Sequence, residues 1–213
     1  MGAHVGRVTY EILRPVPIAT LTAEARIVRP GRSVELVEAS LAGPEGPVMR
    51  ATAWRLRSRS VELDPAPALE PPAHGPADGE ERDFFPTGVD VGYHTAMEYR
   101  FVSGSFTAPG PAVVWMRMRY PLVEGEQPSP LQRVMAAADS GNGVSAALDY
   151  KRFIFINTDL SVHLHRLPAT DWVCLDAVTW PEPEGVGISD TLLWDERGRI
   201  GRAVQTLLVR SRV

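Results

Sequence analysis

Two polar residues stand in apolar surroundings, and together they could carry out acid–base chemistry. Asp139 follows Met135 by four positions on the stripe formed by Leu131, Val134, Met135 and Ala138. Aspartate is a poor helix former, and the dipole at a helix C-terminus disfavours its negative charge. Burial near that end would make the carboxylate a stronger proton acceptor, as a general base must be. Gln205 lies in Ala203-Val204-Gln205-Thr206-Leu207-Leu208-Val209, an otherwise apolar run. A buried amide there must find partners or cost about 1–3 kcal/mol. A water held between Asp139 and Gln205 would satisfy both and be placed to act as a nucleophile. Plainer roles stay open: Asp139 as a cap on the turn at 140–143, Gln205 as the outward-facing residue of a half-exposed strand. Gly141, Asn142 and Gly143 follow at once. Glycine lets a backbone come close to a ligand, so their N–H groups could hold an oxyanion, or simply end the helix.

Other candidates are weaker. His163 and His165 alternate with Leu164 and share one strand face, but no third ligand has a spacing suited to zinc. Their expected roles are cross-strand hydrogen bonding and packing. Cys174, the only cysteine, reads as a small core residue and excludes both a disulfide framework and a cysteine-built metal site. Trp54, Trp115, Trp172 and Trp194 suit strand cores or the wall of an apolar tunnel. Arg29, Arg32, Arg117 and Arg119 could meet phosphates or remain solvated. Over the 213 residues, 22 basic and 26 acidic side chains give a net charge of −4, so no basic excess draws the chain to nucleic acid. No apolar run approaches the roughly 20 residues needed to cross a bilayer, and the expectation is a cytoplasmic protein.

The elements that must position these groups can be outlined from the pattern. Ser129-Pro130-Leu131-Gln132 is a helix start, with serine as cap, proline at the first helical position and glutamine closing a capping box. Strands are expected near 8–13, 21–28, 34–41 and 48–57, forming an antiparallel meander without a helix. After it, 64–89 is a proline-dense segment expected to cross the surface as an extended linker. Further strands are expected near 95–102, 113–120, 153–160, 161–167, 171–178, 187–194 and 201–210. The two parts echo one another: Arg166 lies 152 residues after Arg14, and Gly198 lies 152 after Gly46. The chain is therefore divided into a partial repeat unit at 1–63, the linker at 64–89 and a complete unit at 90–213.

The run Phe155-Ile156-Asn157-Thr158-Asp159-Leu160-Ser161-Val162-His163-Leu164-His165-Arg166 resembles the tandem-hotdog acyl-CoA thioesterases of the thioesterase II (TesB-like) family. So do Trp115-Met116-Arg117-Met118-Arg119-Tyr120-Pro121-Leu122 and the helix 131–139; the D-L-x-V-H-L-H-R run is the most specific piece. The resemblance implies an α+β double hotdog, with antiparallel sheets wrapping a long helix and a first hotdog that lacks its leading strands and helix. It also implies hydrolysis of a fatty acyl-CoA thioester by Asp-activated water, without a covalent intermediate and without a metal or other cofactor. Carried over by motif position, the family's Asp falls on Asp139 and its Gln on Gln205. Its third residue, a threonine or similar hydroxyl or amide residue, falls on Asn157 with Thr158 adjacent; asparagine in place of a hydroxyl departs from the pattern. Gly141, Asn142 and Gly143 become candidates for binding substrate. Ala53 is the counterpart of Gln205, so one site per chain is expected. An uncovered sheet face in the first unit calls for another subunit, hence a homo-oligomer. A non-catalytic acyl-CoA-binding or assembly module is the competing expectation. A hotdog dehydratase would need a histidine on or near the helix, and 129–148 contains none.

Overall fold

The computed structural model describes residues 2–65 and 68–212. The first part of the chain folds as β1 (Ala3–Ile12), β2 (Thr22–Arg29), β3 (Val34–Gly43) and β4 (Gly46–Arg57). A helical turn α1 (Tyr93–Ala96) leads into β5 (Met97–Ser103) and β6 (Ala112–Met118). The helix α2 (Pro130–Ala138) and the single turn α3 (Gly141–Val144) come next. The remaining strands are β7 (Phe153–Asn157), β8 (Asp159–Leu164), β9 (Val173–Pro181), β10 (Val186–Asp195) and β11 (Gly198–Ser211). All eleven belong to one antiparallel sheet in the order β2-β3-β4-β1-β8-β11-β10-β9-β6-β5, with β7 added to the free end of β11.

The meander expected at the N-terminus is only partly present. β2, β3 and β4 follow one another as hairpins, but β1 lies beside β4 and joins the two halves of the sheet by pairing with β8. The prolines after β1 explain why: Pro15 and Pro17 cannot supply the N–H groups a tight hairpin back to β1 would need. At the seam Thr9 faces Ser161, with their hydroxyls 3.1 Å apart. These two residues are themselves separated by 152 positions, so a pseudo-twofold axis passes between them.

That spacing holds for whole strands. β2, β3 and β4 correspond in this way to β9, β10 and β11. On the second half, α2 covers the inner face of the sheet. Its start matches the capping box: Ser129 Oγ accepts from the Gln132 N–H, and Gln132 Oε1 accepts from the Ser129 N–H. Val134, Ala137 and Ala138 are buried against Met116, Val173, Leu175 and Ala203 in a single core. Among the described residues of the first half no helix lies on the corresponding face.

The segment 64–89 is less detached than a surface linker. Ala66 and Pro67 lie outside the described residues. Beyond them, the His74 carbonyl accepts from the Trp115 indole N–H, and Glu80 bridges to Phe101 at the free side of β5. Gly79 passes so close to Arg100 that a Cβ would meet its backbone at 2.8 Å. Phe84 and Phe85 then turn inward, 4.4 Å and 6.4 Å from the ring centre of Phe106. Apolar rings placed after the prolines anchor the segment where composition alone suggested solvent.

Candidate active site

Asp139 is the C-cap of α2, and Ser140 alone separates it from α3. Its carboxylate faces the ends of two strands. The Asn157 side-chain amide, at the end of β7, donates to Asp139 Oδ1 at 3.0 Å. The Gln205 amide, on β11, donates to the Asp139 main-chain carbonyl at 3.1 Å and lies 3.4 Å from the same Oδ1. Gln205 itself is buried, 1% exposed, and its Oε1 accepts from the Asn142 backbone N–H at 3.0 Å. Every polar atom of this amide is therefore used, which removes the desolvation cost its apolar neighbours would impose.

Two expectations about Asp139 change. The residue is exposed rather than buried, because it caps a helix that ends at the rim of the sheet. It also meets Gln205 directly: at 3.4 Å no solvent molecule fits between Oδ1 and the amide nitrogen. A water bound to this carboxylate must lie on its other side, at Oδ2, which has no protein partner among the described residues. Thr158 points elsewhere, its hydroxyl donating to Asp159 and reaching the Thr206 carbonyl. Of the adjacent pair 157 and 158, asparagine is the one on Asp139.

Two of the backbone donors at the helix end are also already engaged. The Asn142 N–H goes to Gln205 and the Gly143 N–H to the Ser140 carbonyl. Gly141 has a different reason to be glycine. A Cβ there would lie 2.6 Å from Thr191 Oγ1 and 3.2 Å from Gln205 Oε1, so only glycine lets α3 lie this close to the sheet. Asn142 and Gly143 do border an adjoining cleft of about 790 Å³. Its walls include Phe85, Phe106, Tyr150, Phe153 and Phe155, with Lys151 and Arg212 among its cations.

No tryptophan lines this cleft. Trp115 is fully buried in the core, while Trp54 and Trp172 carry Arg29 and Arg117 over their rings at 5.6 Å and 4.6 Å. Arg117 also pairs with Glu98 at 2.6 Å, and Arg119 donates to the Met97 carbonyl. These cations are thus occupied within the protein. His163 and His165 are exposed on the outer face. No three His, Cys, Asp or Glu side chains cluster at metal-binding distance among the described residues. Burial pushes the Cys174 thiol well above its usual range, with the charge of Asp176 adding to it, so it is a poor nucleophile.

Sequence patterns left several neighbours unnoticed. Tyr10, from the first half, and Tyr93, on α1, both face Asp139; burial, and then the Asp139 charge, raise their phenol pKa values. Tyr93 hydrogen-bonds the Ala136 carbonyl and the Ser140 hydroxyl, tying down the end of α2. Beneath α3 runs a polar row across three strands, Thr179, Ser189 and Gln205, set side by side by register. Ser145 joins it through Thr179 at 2.8 Å, while Ser189 Oγ is buried without a partner among the described residues. The counterparts 152 positions earlier are Ile27, Val37 and Ala53, also set side by side. One half of the sheet is polar where the other is apolar. The 152-residue echo in the sequence holds that contrast at all three positions, Ala53 among them.

A helix backed by a wrapped antiparallel sheet, doubled about a seam, defines a hotdog-fold protein. Solved structures agree on the fold. An acyl-CoA thioesterase II, TesB2, from Mycobacterium marinum superposes with a TM-score of 0.71 at 15% identity, covering 99% of this chain and 82% of that one. A hot dog fold protein of unknown function from Alicyclobacillus acidocaldarius gives 0.73 at 17%, with 98% and 80% covered. A tesB protein from Mycobacterium avium subspecies paratuberculosis gives 0.70 at 13%, with 98% and 79% covered. A comparison with curated proteins finds no match. Residues 64–209 match the acyl-CoA thioesterase C-terminal domain and residues 2–56 the N-terminal domain. The chain belongs to the acyl-CoA thioesterase family, the TesB-like thioester hydrolases.

Proposed function

We propose that this chain hydrolyses fatty acyl-CoA thioesters with Asp139 as general base, acting on water and forming no covalent intermediate. The observation that carries this reading is the convergence of two side-chain amides on one oxygen of a carboxylate. Asn157 and Gln205 fix Oδ1, which leaves Oδ2 as the acceptor for a water proton. The water oxygen attacks the thioester carbonyl carbon, its proton passes to Asp139, the C–S bond breaks, and the CoA thiolate takes up the proton. The aromatic cleft beside Asn142 and Gly143 suits the acyl chain, and Lys151 and Arg212 suit the phosphates of CoA. The same reading keeps the division of the chain into 1–63, 64–89 and 90–213 and places the chemistry in the last unit.

Asp139→Asn tests it. The change preserves shape and the acceptor at Oδ1 but removes the base, so release of thiol from a medium-chain acyl-CoA should fall by about 10²–10⁴-fold. The thermal transition should stay within a degree or two, since the residue is exposed. Turnover equal to that of the unaltered chain would end the assignment.

A further inference from the structure

Hydrolysis of a thioester needs a donor for the carbonyl oxygen, on which negative charge collects as water attacks. The groups nearest Asp139 are spent elsewhere. The Asn142 and Gly143 N–H groups bond Gln205 and Ser140, and the amides of Asn157 and Gln205 are turned to Asp139 itself. The register of the sheet brings one further group to the same place. On the inner face Thr179, Ser189 and Gln205 form a row across β9, β10 and β11. β8 continues it: Ser161 faces Val204 on one side and Thr9 on the other, and the adjoining residue, Leu160, faces Tyr10 of β1. Tyr10 thus stands two strand spacings from Gln205, about 10 Å at the backbone, with its ring packed against the core. It is half-buried, and its hydroxyl bonds no protein group among the described residues. Burial, and then the charge of Asp139, raise its pKa above the usual phenol value, so at neutral pH the oxygen keeps its proton and can donate it to a hydrogen bond.

We propose that Tyr10 is a further catalytic residue, its hydroxyl donating a hydrogen bond to the thioester carbonyl oxygen while Asp139 activates the water. The inference rests on the reading of Asp139 as general base. The carbonyl oxygen gains negative charge as the water attacks and is repelled by the carboxylate. Its donor must therefore carry a proton without carrying a charge of its own. A lysine or arginine in that place would pair with Asp139 and weaken it as a base; a neutral phenol leaves the carboxylate its basicity. The two halves of the sheet then share the chemistry across the β1–β8 seam. The base and the amides that hold it come from α2, β7 and β11, and the oxyanion donor comes from β1.

Tyr10→Phe in the full chain tests this, because it removes the hydroxyl and keeps the ring. Its thermal transition should match that of the unaltered chain, since the lost oxygen bonds no protein group. For a medium-chain acyl-CoA, kcat for thiol release should fall by about 10²–10³-fold, the usual effect of removing one oxyanion donor. KM should stay near its original value, because the bond strengthens only as charge develops in the transition state. The acid limb of the pH profile, set by Asp139, should not move. A second measurement reads the bond itself. A ketone analogue of the acyl-CoA, with a methylene in place of sulfur and a ¹³C-labelled carbonyl, cannot be hydrolysed. Its infrared carbonyl stretch, bound to the unaltered chain, should lie at lower wavenumber than when bound to the Tyr10→Phe chain. An unaltered kcat, or the same stretch in both proteins, would overturn the proposal. So would a fall in kcat with a displaced acid limb, which would make Tyr10 a support for Asp139 instead. The two readings can fail separately. Normal turnover by Tyr10→Phe beside an inactive Asp139→Asn removes only the role of Tyr10. A chain that releases no thiol removes the role of Asp139 and leaves the carbonyl stretch to decide that of Tyr10.

Discussion

At Gly141 the chain comes so near the sheet that a single methyl group decides the geometry. A Cβ would lie 2.6 Å from Thr191 Oγ1 and 3.2 Å from Gln205 Oε1. Gly141→Ala must therefore lift α3, and with it the Asn142 N–H that fixes the Gln205 amide. Displacement of a positioned group by about an ångström can cost up to roughly 100-fold in rate. Thiol release by this variant should drop by about tenfold or more, with most of the loss in kcat. An alanine enzyme with unaltered kcat would mean that α3 does not set the catalytic geometry. Of this arrangement the sequence disclosed the parts but not their contacts. Asp139 and Gln205 were visible because each is a polar residue in an apolar pattern. Tyr10 and Tyr93 were not, because tyrosine is unremarkable in a strand or turn, and only the seam between the halves brings Tyr10 to Asp139.

The elements themselves were legible where local chemistry dictates them. The Ser129–Gln132 capping box and the stripe of α2 read directly from the sequence, as did the hairpins that run through β2, β3 and β4. Pairing across long separations did not, because β1–β8 contact joins residues 148 to 156 positions apart in sequence. The D-L-x-V-H-L-H-R run proves to be a fastening for such pairing. Leu160, Val162 and Leu164 enter the core, and Arg166 reaches across to Asp195 with two bonds of 2.6 Å. Asp195 is wholly buried and also accepts from the N–H groups of Ala169, Arg197 and Gly198. Burial pushes its pKa up, but Arg166 and the backbone donors outweigh this and hold it below the usual carboxylate value. A depressed folded-state pKa contributes stability that is complete above the unfolded value, about 3.9, and is lost as the pH falls through the lower folded value. Asp195→Asn should thus cost about 3 kcal/mol at neutral pH, by leaving Arg166 without its counter-charge. Urea denaturation over a pH series should show the gap to the unaltered chain narrowing only below about pH 4. A gap that stays constant into strong acid would show that the clamp is not electrostatic.

Across the whole molecule, a pseudo-symmetric sheet carries an asymmetric site. The axis between Thr9 and Ser161 maps the row Thr179, Ser189, Gln205 onto Ile27, Val37, Ala53, and it maps Asp195, partner of Arg166, onto Gly43, which cannot pair with Arg14. Each loss falls on the same half, which also has no helix among its described residues to bring a carboxylate over the sheet. On the proposed mechanism the first half contributes Tyr10 near Asp139 but holds no second copy of the polar set. Binding stoichiometry distinguishes this from two weakened sites. The Asp139→Asn chain, titrated calorimetrically with an acyl-CoA it no longer cleaves, should take up one ligand per chain. Adding Ala53→Gln should leave that number at one, because an amide on the first half has neither an α3 backbone N–H to accept nor a carboxylate to orient. Two ligands per chain in either protein would mean that the apolar face of β2–β4 is itself an acyl-binding surface.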